Sequence, residues 1–171
     1  LHIPALAHLT CVGNTKKDID TVVADLKAAG INNVLALRGD RPAYMTDEQY
    51  NAREFEHASD MIAYLKETTD FKIAGACYPE KHFEAFSFKE DVRYLKQKVD
   101  LGVEMLISQL FFDNEMFYRF EEMTQIAGIN IPICAGIMPI TTSKQLGTTV
   151  SLSGSSVPKK LADIIATYDD K

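Results

Sequence analysis

The feature that most constrains this chain is a five-fold alternation of short apolar runs with longer stretches whose apolar residues fall at helical spacing. Residues 6–11, 34–37, 73–77, 105–112 and 131–137 read as strands. Between them, Thr15-Lys16-Lys17-Asp18 resembles a capping box opening a helix with Ile19, Val22, Val23 and Leu26 on one stripe, closed by Gly30. A polar loop is expected from Asp40 to about Gln49, then a helix carrying Phe55, Ala58, Met61, Ile62 and Leu65. Ser87 with Glu90 caps a third helix bearing Val92, Leu95 and Val99, which Gly102 ends. Asp113 caps a fourth with Met116, Phe117, Phe120 and Met123, stopped near Gly128. A Ser/Thr-rich segment containing Gln145 precedes a last helix from about Pro158 to Tyr168.

Strands alternating with amphipathic helices imply parallel βα units and an α/β fold. No Gly-rich dinucleotide fingerprint or Walker loop is present, which weakens a doubly wound nucleotide-binding sheet. A (β/α)8 TIM barrel needs roughly 250 residues. With 171 residues and five strands, this chain would be one domain's worth of part of such a barrel.

The net charge of −6, with no Lys/Arg stripe to offset it, argues against nucleic-acid and anionic-membrane partners. No apolar run reaches the roughly 20 residues that span a bilayer. Three cysteines, Cys11, Cys77 and Cys134, are odd in number and too far apart for a local zinc motif, so reduced thiols and a cytoplasmic setting are expected.

In parallel α/β folds, chemistry gathers at the C-terminal ends of strands. The run Val34–Leu37 ends abruptly in Arg38-Gly39-Asp40-Arg41-Pro42, which reads either as a functional strand tip or as a solvated surface turn. Arg38-Gly39-Asp40 also spells an adhesion motif, but that use needs a mobile exposed loop and this tripeptide follows a buried strand. The other strand ends offer His8 and Thr10; Tyr78, Glu80 and His82; Gln109; and Pro139 followed by Gln145. His8 and Gln109 interrupt apolar strands, so each must find a hydrogen-bond partner, inside the protein or on a ligand. Asp91, Tyr94 and Lys98 share a helix face whose default reading is a solvated surface. Ser, Cys and His show no triad spacing, and no His/Asp/Glu cluster has the spacing of metal ligands.

Six segments together resemble the methylenetetrahydrofolate reductases, flavoproteins of one-carbon metabolism and methionine biosynthesis. They are His8-Leu9-Thr10-Cys11, Ala36-Leu37-Arg38-Gly39-Asp40, residues 78–85, residues 95–100, Ser108-Gln109-Leu110-Phe111-Phe112-Asp113 and Gly136-Ile137-Met138-Pro139-Ile140, all in the family's order. The resemblance implies a (β/α)8 barrel, with this chain running from about its third strand to its seventh. It also implies FAD as cofactor, NADH or NADPH as electron donor, and reduction of 5,10-methylenetetrahydrofolate to 5-methyltetrahydrofolate. A cytoplasmic homo-oligomer is expected.

Carried over position by position, the resemblance puts Asp40 near the flavin ring and the folate, where a carboxylate disfavours added negative charge and lowers the flavin potential. Arg38 and Gly39 would approach the FAD, the glycine permitting close backbone contact. His8, Ala58, Tyr78, His82 and Ala85 match further FAD-contacting positions. Asp91, Tyr94, Gln97 and Lys98 match the helix that meets the cofactor's ribose, pyrophosphate or adenine. Gln109 matches a glutamine shared by folate and nicotinamide, and Gln145 a second substrate contact.

Two features of the family are not matched. Its general acid is a glutamate on the first barrel strand, and a nicotinamide-contacting threonine lies near the second. Both fall ahead of Leu1 in the family's order, so this chain by itself is not expected to complete catalysis. Thr149 stands where an aromatic packing on folate or nicotinamide is expected. Two other readings remain: another flavin barrel resembling proline dehydrogenase, which the His8 and Gln109 segments disfavour, and a non-catalytic flavin-binding module.

Overall fold

The computed structural model describes residues 3–168. Five strands, β1 (Ala7–Thr10), β2 (Asn33–Leu37), β3 (Lys72–Cys77), β4 (Met105–Leu110) and β5 (Ile133–Gly136), form a parallel sheet in the order β1-β2-β3-β4-β5. Sequential order follows when every strand is joined to the next by a crossover of the same hand. Ala7 lies opposite Val34 and Val34 opposite Ile73, so the apolar centres of β1, β2 and β3 are in register. The helices among the described residues are α1 (Lys16–Ala28), α2 (Asp47–Asn51), α3 (Ala58–Thr68), α4 (Phe88–Asp100), α5 (Asn114–Ile126), α6 (Ser143–Ser153) and α7 (Lys159–Tyr168). The α/β fold expected from the alternation is the one observed.

The described residues divide into two compact units, one running to Ala76 and including Gln97–Leu106, the other made of Cys77–Lys96 and the residues from Ile107 onward. In the first unit, Ile19 of α1, Val34 of β2, Met61, Ile62 and Leu65 of α3, Ile73 of β3 and Leu106 of β4 are fully buried. Each such side chain contributes roughly 1.5–3 kcal/mol by leaving water. In the second, Val92 and Leu95 of α4, Phe117 and Phe120 of α5 and Ile165 of α7 are buried. Phe117 stacks on Phe111 at 4.7 Å between ring centres.

Helix α1 starts as its sequence requires. The Thr15 hydroxyl accepts from the Asp18 N–H at 3.2 Å while the Asp18 carboxylate accepts from the Thr15 N–H at 2.8 Å. The stops at Gly30, Gly102 and Gly128 all have positive φ. At α4 only half of the expected box forms: Ser87 Oγ accepts from the Glu90 N–H, but the Glu90 carboxylate reaches back to the Phe86 N–H at 3.0 Å.

Several boundaries differ from expectation. The polar loop after Asp40 contains α2, capped by Thr46 and Gln49. Phe55 is buried but precedes α3 rather than lying on its stripe, and Val22 of α1 is 38% exposed. β4 ends at Leu110 and β5 covers only Ile133–Gly136, following Pro132, which has no N–H to give a ladder. The Ser/Thr-rich segment is helical, as α6.

Candidate active site

In the first unit, the candidate residues sit at the tips of β1 and β2. His8 and Thr10 are exposed on one face of β1, while Leu9 between them is buried on the other. The β1–β2 pairing continues past the strand ends, with the Cys11 N–H donating to the Leu37 carbonyl (3.0 Å) and the Val12 N–H to the Arg38 carbonyl (2.8 Å). The Arg38 carbonyl also accepts from the buried Cys11 thiol at 3.8 Å. Burial pushes the pKa of that thiol up to about 11, so it stays protonated and can act as a donor.

Gly39 follows with φ +82°, and a Cβ there would lie 3.0 Å from both Thr10 Cβ and Val12 Cγ1. Only glycine gives the chain this turn at so close an approach. It delivers Asp40 to the surface, exposed. Beyond Asp40 the loop is braced by Arg41, whose Nη2 donates to the Met45 carbonyl and pairs with the Asp47 carboxylate, both at 2.7 Å. Ala58 is the first residue of α3, half-buried, behind an Asp60 carboxylate that accepts from the Glu56 and His57 N–H groups. Near the end of α4, Gln97 is exposed, and Lys98 donates its ammonium to the Ala76 carbonyl of β3 at 2.7 Å.

The second unit holds the loop after β3. Tyr78 meets the His82 ring edge-on at 4.7 Å, and His82 stacks on Phe83 at 4.6 Å. Lys81 takes a left-handed backbone (φ +81°), and its ammonium donates to the His82 and Ala85 carbonyls at 3.1 and 2.6 Å, closing the loop over itself. The Asp91 carboxylate of α4 accepts from the His82 N–H at 2.9 Å. His82 Nδ1 accepts from the Glu84 N–H, which assigns the ring proton of the neutral imidazole to Nε2. Tyr94 is 45% exposed, beneath the Arg93 guanidinium. Asp91 is thus a loop anchor, a part its expected solvated face did not suggest.

At the end of β4, Gln109 turns its Oε1 back to accept from the Leu110 N–H at 2.9 Å, so the polar group it has left to offer is its amide NH2. Ser108 donates to the Gln109 carbonyl and accepts from the Gly136 N–H of β5 at 2.8 Å. Ser155, past α6, donates to the Leu110 carbonyl at 2.7 Å, and Glu80 Oε2 accepts from the Ser156 N–H at 3.0 Å. Tyr78, Glu80, Gln109 and residues 153–155 surround a small pocket of about 10 Å³.

Gln145 is placed differently from a free ligand contact. Its Oε1 accepts from the Thr141 N–H and hydroxyl, and its Nε2 donates to the Pro139 carbonyl, so it ties the start of α6 to the β5 exit. Thr149 is buried, its hydroxyl on Met138 Sδ. Sequence reasoning missed the Lys81 clamp and Ser155; the only signal for the second was Gly154, which ends α6 in the left-handed conformation.

A larger cleft of about 330 Å³ lies among Pro4, Leu6, Asn33, Lys72 and Met105, at the entry ends of the first unit's strands, and touches none of the candidate residues. Among the described residues, no three His, Cys, Asp or Glu gather as a metal site, and no helix is long and apolar enough to cross a membrane.

The family model for methylenetetrahydrofolate reductase matches residues 1–171. The 5,10-methylenetetrahydrofolate reductase of Escherichia coli (strain K12) is 36% identical over 168 residues, covering 98% of this chain and 55% of that protein. The enzyme of the same name from Buchnera aphidicola subsp. Baizongia pistaciae is 38% identical with the same coverage. Methylenetetrahydrofolate reductase 2 of Schizosaccharomyces pombe is 37% identical over 93% of this chain and 27% of its own length. The chain therefore spans about half the length of its bacterial relatives. Among solved structures, an uncharacterised Clostridium thermocellum protein that binds two copies of 5-methyl-5,6,7,8-tetrahydrofolic acid superposes with a TM-score of 0.50 at 14% identity, covering 95% of this chain and 74% of that one, a likeness of fold. With its whole length matched by the family model and bacterial relatives aligned over 98% of it, the chain belongs to the methylenetetrahydrofolate reductase family.

Proposed function

We propose that this chain is the central part of a (β/α)8 catalytic domain, from about its third strand to its seventh, in an enzyme that reduces 5,10-methylenetetrahydrofolate to 5-methyltetrahydrofolate with NADH or NADPH through bound FAD. The observation that carries this reading is the family match along residues 1–171. Two local features support it: a glycine turn without room for a Cβ beside an exposed carboxylate, and an aromatic loop held closed by Lys81 and Asp91.

The residues present suit a flavin. Gly39, packed against Thr10 and Val12 with no room for a Cβ, sets the turn that carries Asp40 to the strand tip, and Tyr78 with His82 offers an aromatic pair on which a planar ring can pack. In this proposal His8, Arg38, Gly39, Ala58, Tyr78, His82, Ala85, Asp91, Tyr94, Gln97 and Lys98 hold the FAD. When bound, FAD supplies hydride transfer between the nicotinamide and the folate. The chain's own residues bind and orient. Asp40 places a fixed negative charge at the strand tip and accepts hydrogen bonds from the pterin. Gln109 offers its amide N–H to whichever substrate is bound, and Gln145 fixes the loop between β5 and α6, a second contact on the substrate side. Proton donation to the folate nitrogen is assigned to a residue outside this stretch. Cys11, Cys77 and Cys134, which are in no disulfide, support a reducing cytoplasmic setting, and we expect a homo-oligomer.

The full-length protein should be yellow, bleach when NADH or NADPH is added without oxygen, and regain its colour with methylenetetrahydrofolate. A colourless protein that cannot be reconstituted with FAD would overturn the reading.

A further inference from the structure

Two buried side-chain atoms among the described residues have no hydrogen-bond partner, Arg53 Nε and Glu80 Oε1. The remainder of the Arg53 guanidinium is used: it donates to the Tyr50 and Glu56 carbonyls and lies over the Tyr50 ring. Glu80 is different. Its Oε2 accepts from the Ser156 N–H at 3.0 Å, a bond that a glutamine carbonyl can also make, though more weakly. The carboxylate's distinctive contribution is a second acceptor, and that oxygen is bare and buried. A buried acceptor without a donor is costly enough that a donor is expected.

The same small pocket is bordered by Gln109. Because Gln109 Oε1 is taken by the Leu110 N–H, its amide plane is set and its NH2 supplies two donors with no acceptor oxygen to compete. The pocket's volume, about 10 Å³, is close to that of one water-sized probe. We propose that Glu80 is a positioning residue for Gln109: one water accepts from a Gln109 N–H and donates to Glu80 Oε1, holding the amide so that its second N–H faces the substrate. This rests on Gln109 being a substrate contact. Its consequence is specificity, since a Gln109 amide held in this way presents a donor and cannot turn to present its carbonyl. It would favour ligands with an exposed carbonyl oxygen, a group shared by a pterin lactam and a carboxamide. Ser155 assists by fixing the Leu110 carbonyl on the same pocket wall.

The test uses the full-length enzyme with E80Q, Q109A and the double variant. E80Q keeps the side chain's shape and can keep the bond to Ser156, but puts an amide donor where the bridging water donates, so the water loses its acceptor and no longer fixes the Gln109 amide. KM for methylenetetrahydrofolate should rise about 3–10-fold, the range of one lost hydrogen bond, with kcat, FAD content and Tm unchanged. In the Q109A background, E80Q should add nothing. A high-resolution crystal structure should show the water between Glu80 Oε1 and Gln109 Nε2. If Q109A raises KM but E80Q does not, or if the two effects add in full, the Glu80 role is wrong and the Gln109 reading stands. Unchanged KM values in Q109A overturn both. Absence of the bridging water also overturns the proposal, whatever the stability of the variants.

Discussion

The carboxylate of Asp91, in the first turns of α4, accepts a hydrogen bond at 2.9 Å from the backbone N–H of His82, nine residues earlier in the chain. A helix-borne charge thereby holds the loop that carries the Tyr78–His82 ring pair. Asp91→Ala should cost about 1.5 kcal/mol, the low end for a hydrogen bond to a charged group at a half-buried position, read as a lower urea midpoint. Asp91→Asn keeps an oxygen that can accept from the same N–H and should cost clearly less. In the full-length protein, Asp91→Ala should also release FAD more readily, measured by fluorescence of the freed flavin. Equal stability of the two variants would count against the anchor.

Gly39 and Gly30 separate two costs that are often confounded. Both have positive φ, +82° and +72°, but a Cβ at Gly30 meets nothing within 4 Å while one at Gly39 meets Thr10 and Val12 at 3.0 Å. Gly30→Ala should cost only the left-handed backbone penalty, about 1 kcal/mol. Gly39→Ala adds crowding of about 1–3 kcal/mol and should displace the Asp40 turn. Chemical denaturation of the two variants side by side checks the difference.

Much of this architecture could be read from the sequence where one residue has one local task. Thr15 and Asp18 form their reciprocal box, and Gly30, Gly102 and Gly128 stop helices with positive φ, because these signals depend only on neighbours in the chain. The strand tip at Arg38-Gly39-Asp40 showed itself as an abrupt end to an apolar run. Helices α2 and α6 were missed because neither carries an apolar stripe: α2 buries no residue and α6 buries only Thr149. Their signals are in their caps, Thr46 with Gln49 and Thr142. Gln145 and Asp91 illustrate what a side chain's identity alone leaves open. Asp91 read by default as part of a solvated helix face and Gln145 as a polar group after a strand end, yet Gln145 ties α6 to Thr141 and Pro139 and Asp91 anchors His82. The partner in each case is set by the path of a loop, and the left-handed Lys81 in one of those loops has no signature in its neighbours.

The three cysteines should differ sharply toward a thiol reagent. Cys134 is exposed on β5, whereas Cys11 and Cys77 are buried. A native titration at neutral pH should find one fast thiol, with the other two appearing on unfolding. Cys11 adds a pH term: burial raises its pKa from 9.0 to about 11 in the folded chain. A raised folded value means its contribution to stability is complete below about 9 and is lost as pH rises toward 11. Cys11→Ala should lose part of that alkaline dependence.

At the acid end, Asp18 is the group to follow. Its carboxyl lies below the usual 3.8 because the Thr15 hydroxyl and N–H both donate to it, at 2.7 and 2.8 Å. A lowered folded value gives stability that is present above the ordinary carboxylate range and disappears as pH falls through the folded pKa. The urea midpoint of Asp18→Asn should therefore lie below that of the parent at neutral pH, and the gap should close in acid. A gap that stayed constant with pH would assign the effect to something other than ionisation.

Asp40 gives the sharpest test of the proposed chemistry. It is an exposed carboxylate at the tip of β2, delivered there by a turn that Cys11 and Val12 hold through the Arg38 carbonyl. If that charge stands near a bound flavin, removing it should make the flavin easier to reduce, because a negative neighbour opposes added electrons. Asp40→Asn in the full-length protein should raise the flavin midpoint potential, measured by dye-coupled redox titration. Because Asp40 is also assigned to the folate, transfer to methylenetetrahydrofolate should slow more than flavin reduction by NADH or NADPH in stopped-flow half-reactions. The two effects compound, since a higher potential itself weakens the drive to pass hydride onward. A variant with an unchanged potential and equal slowing of both half-reactions would place Asp40 away from the flavin and reduce Arg38-Gly39-Asp40 to a well-held surface turn.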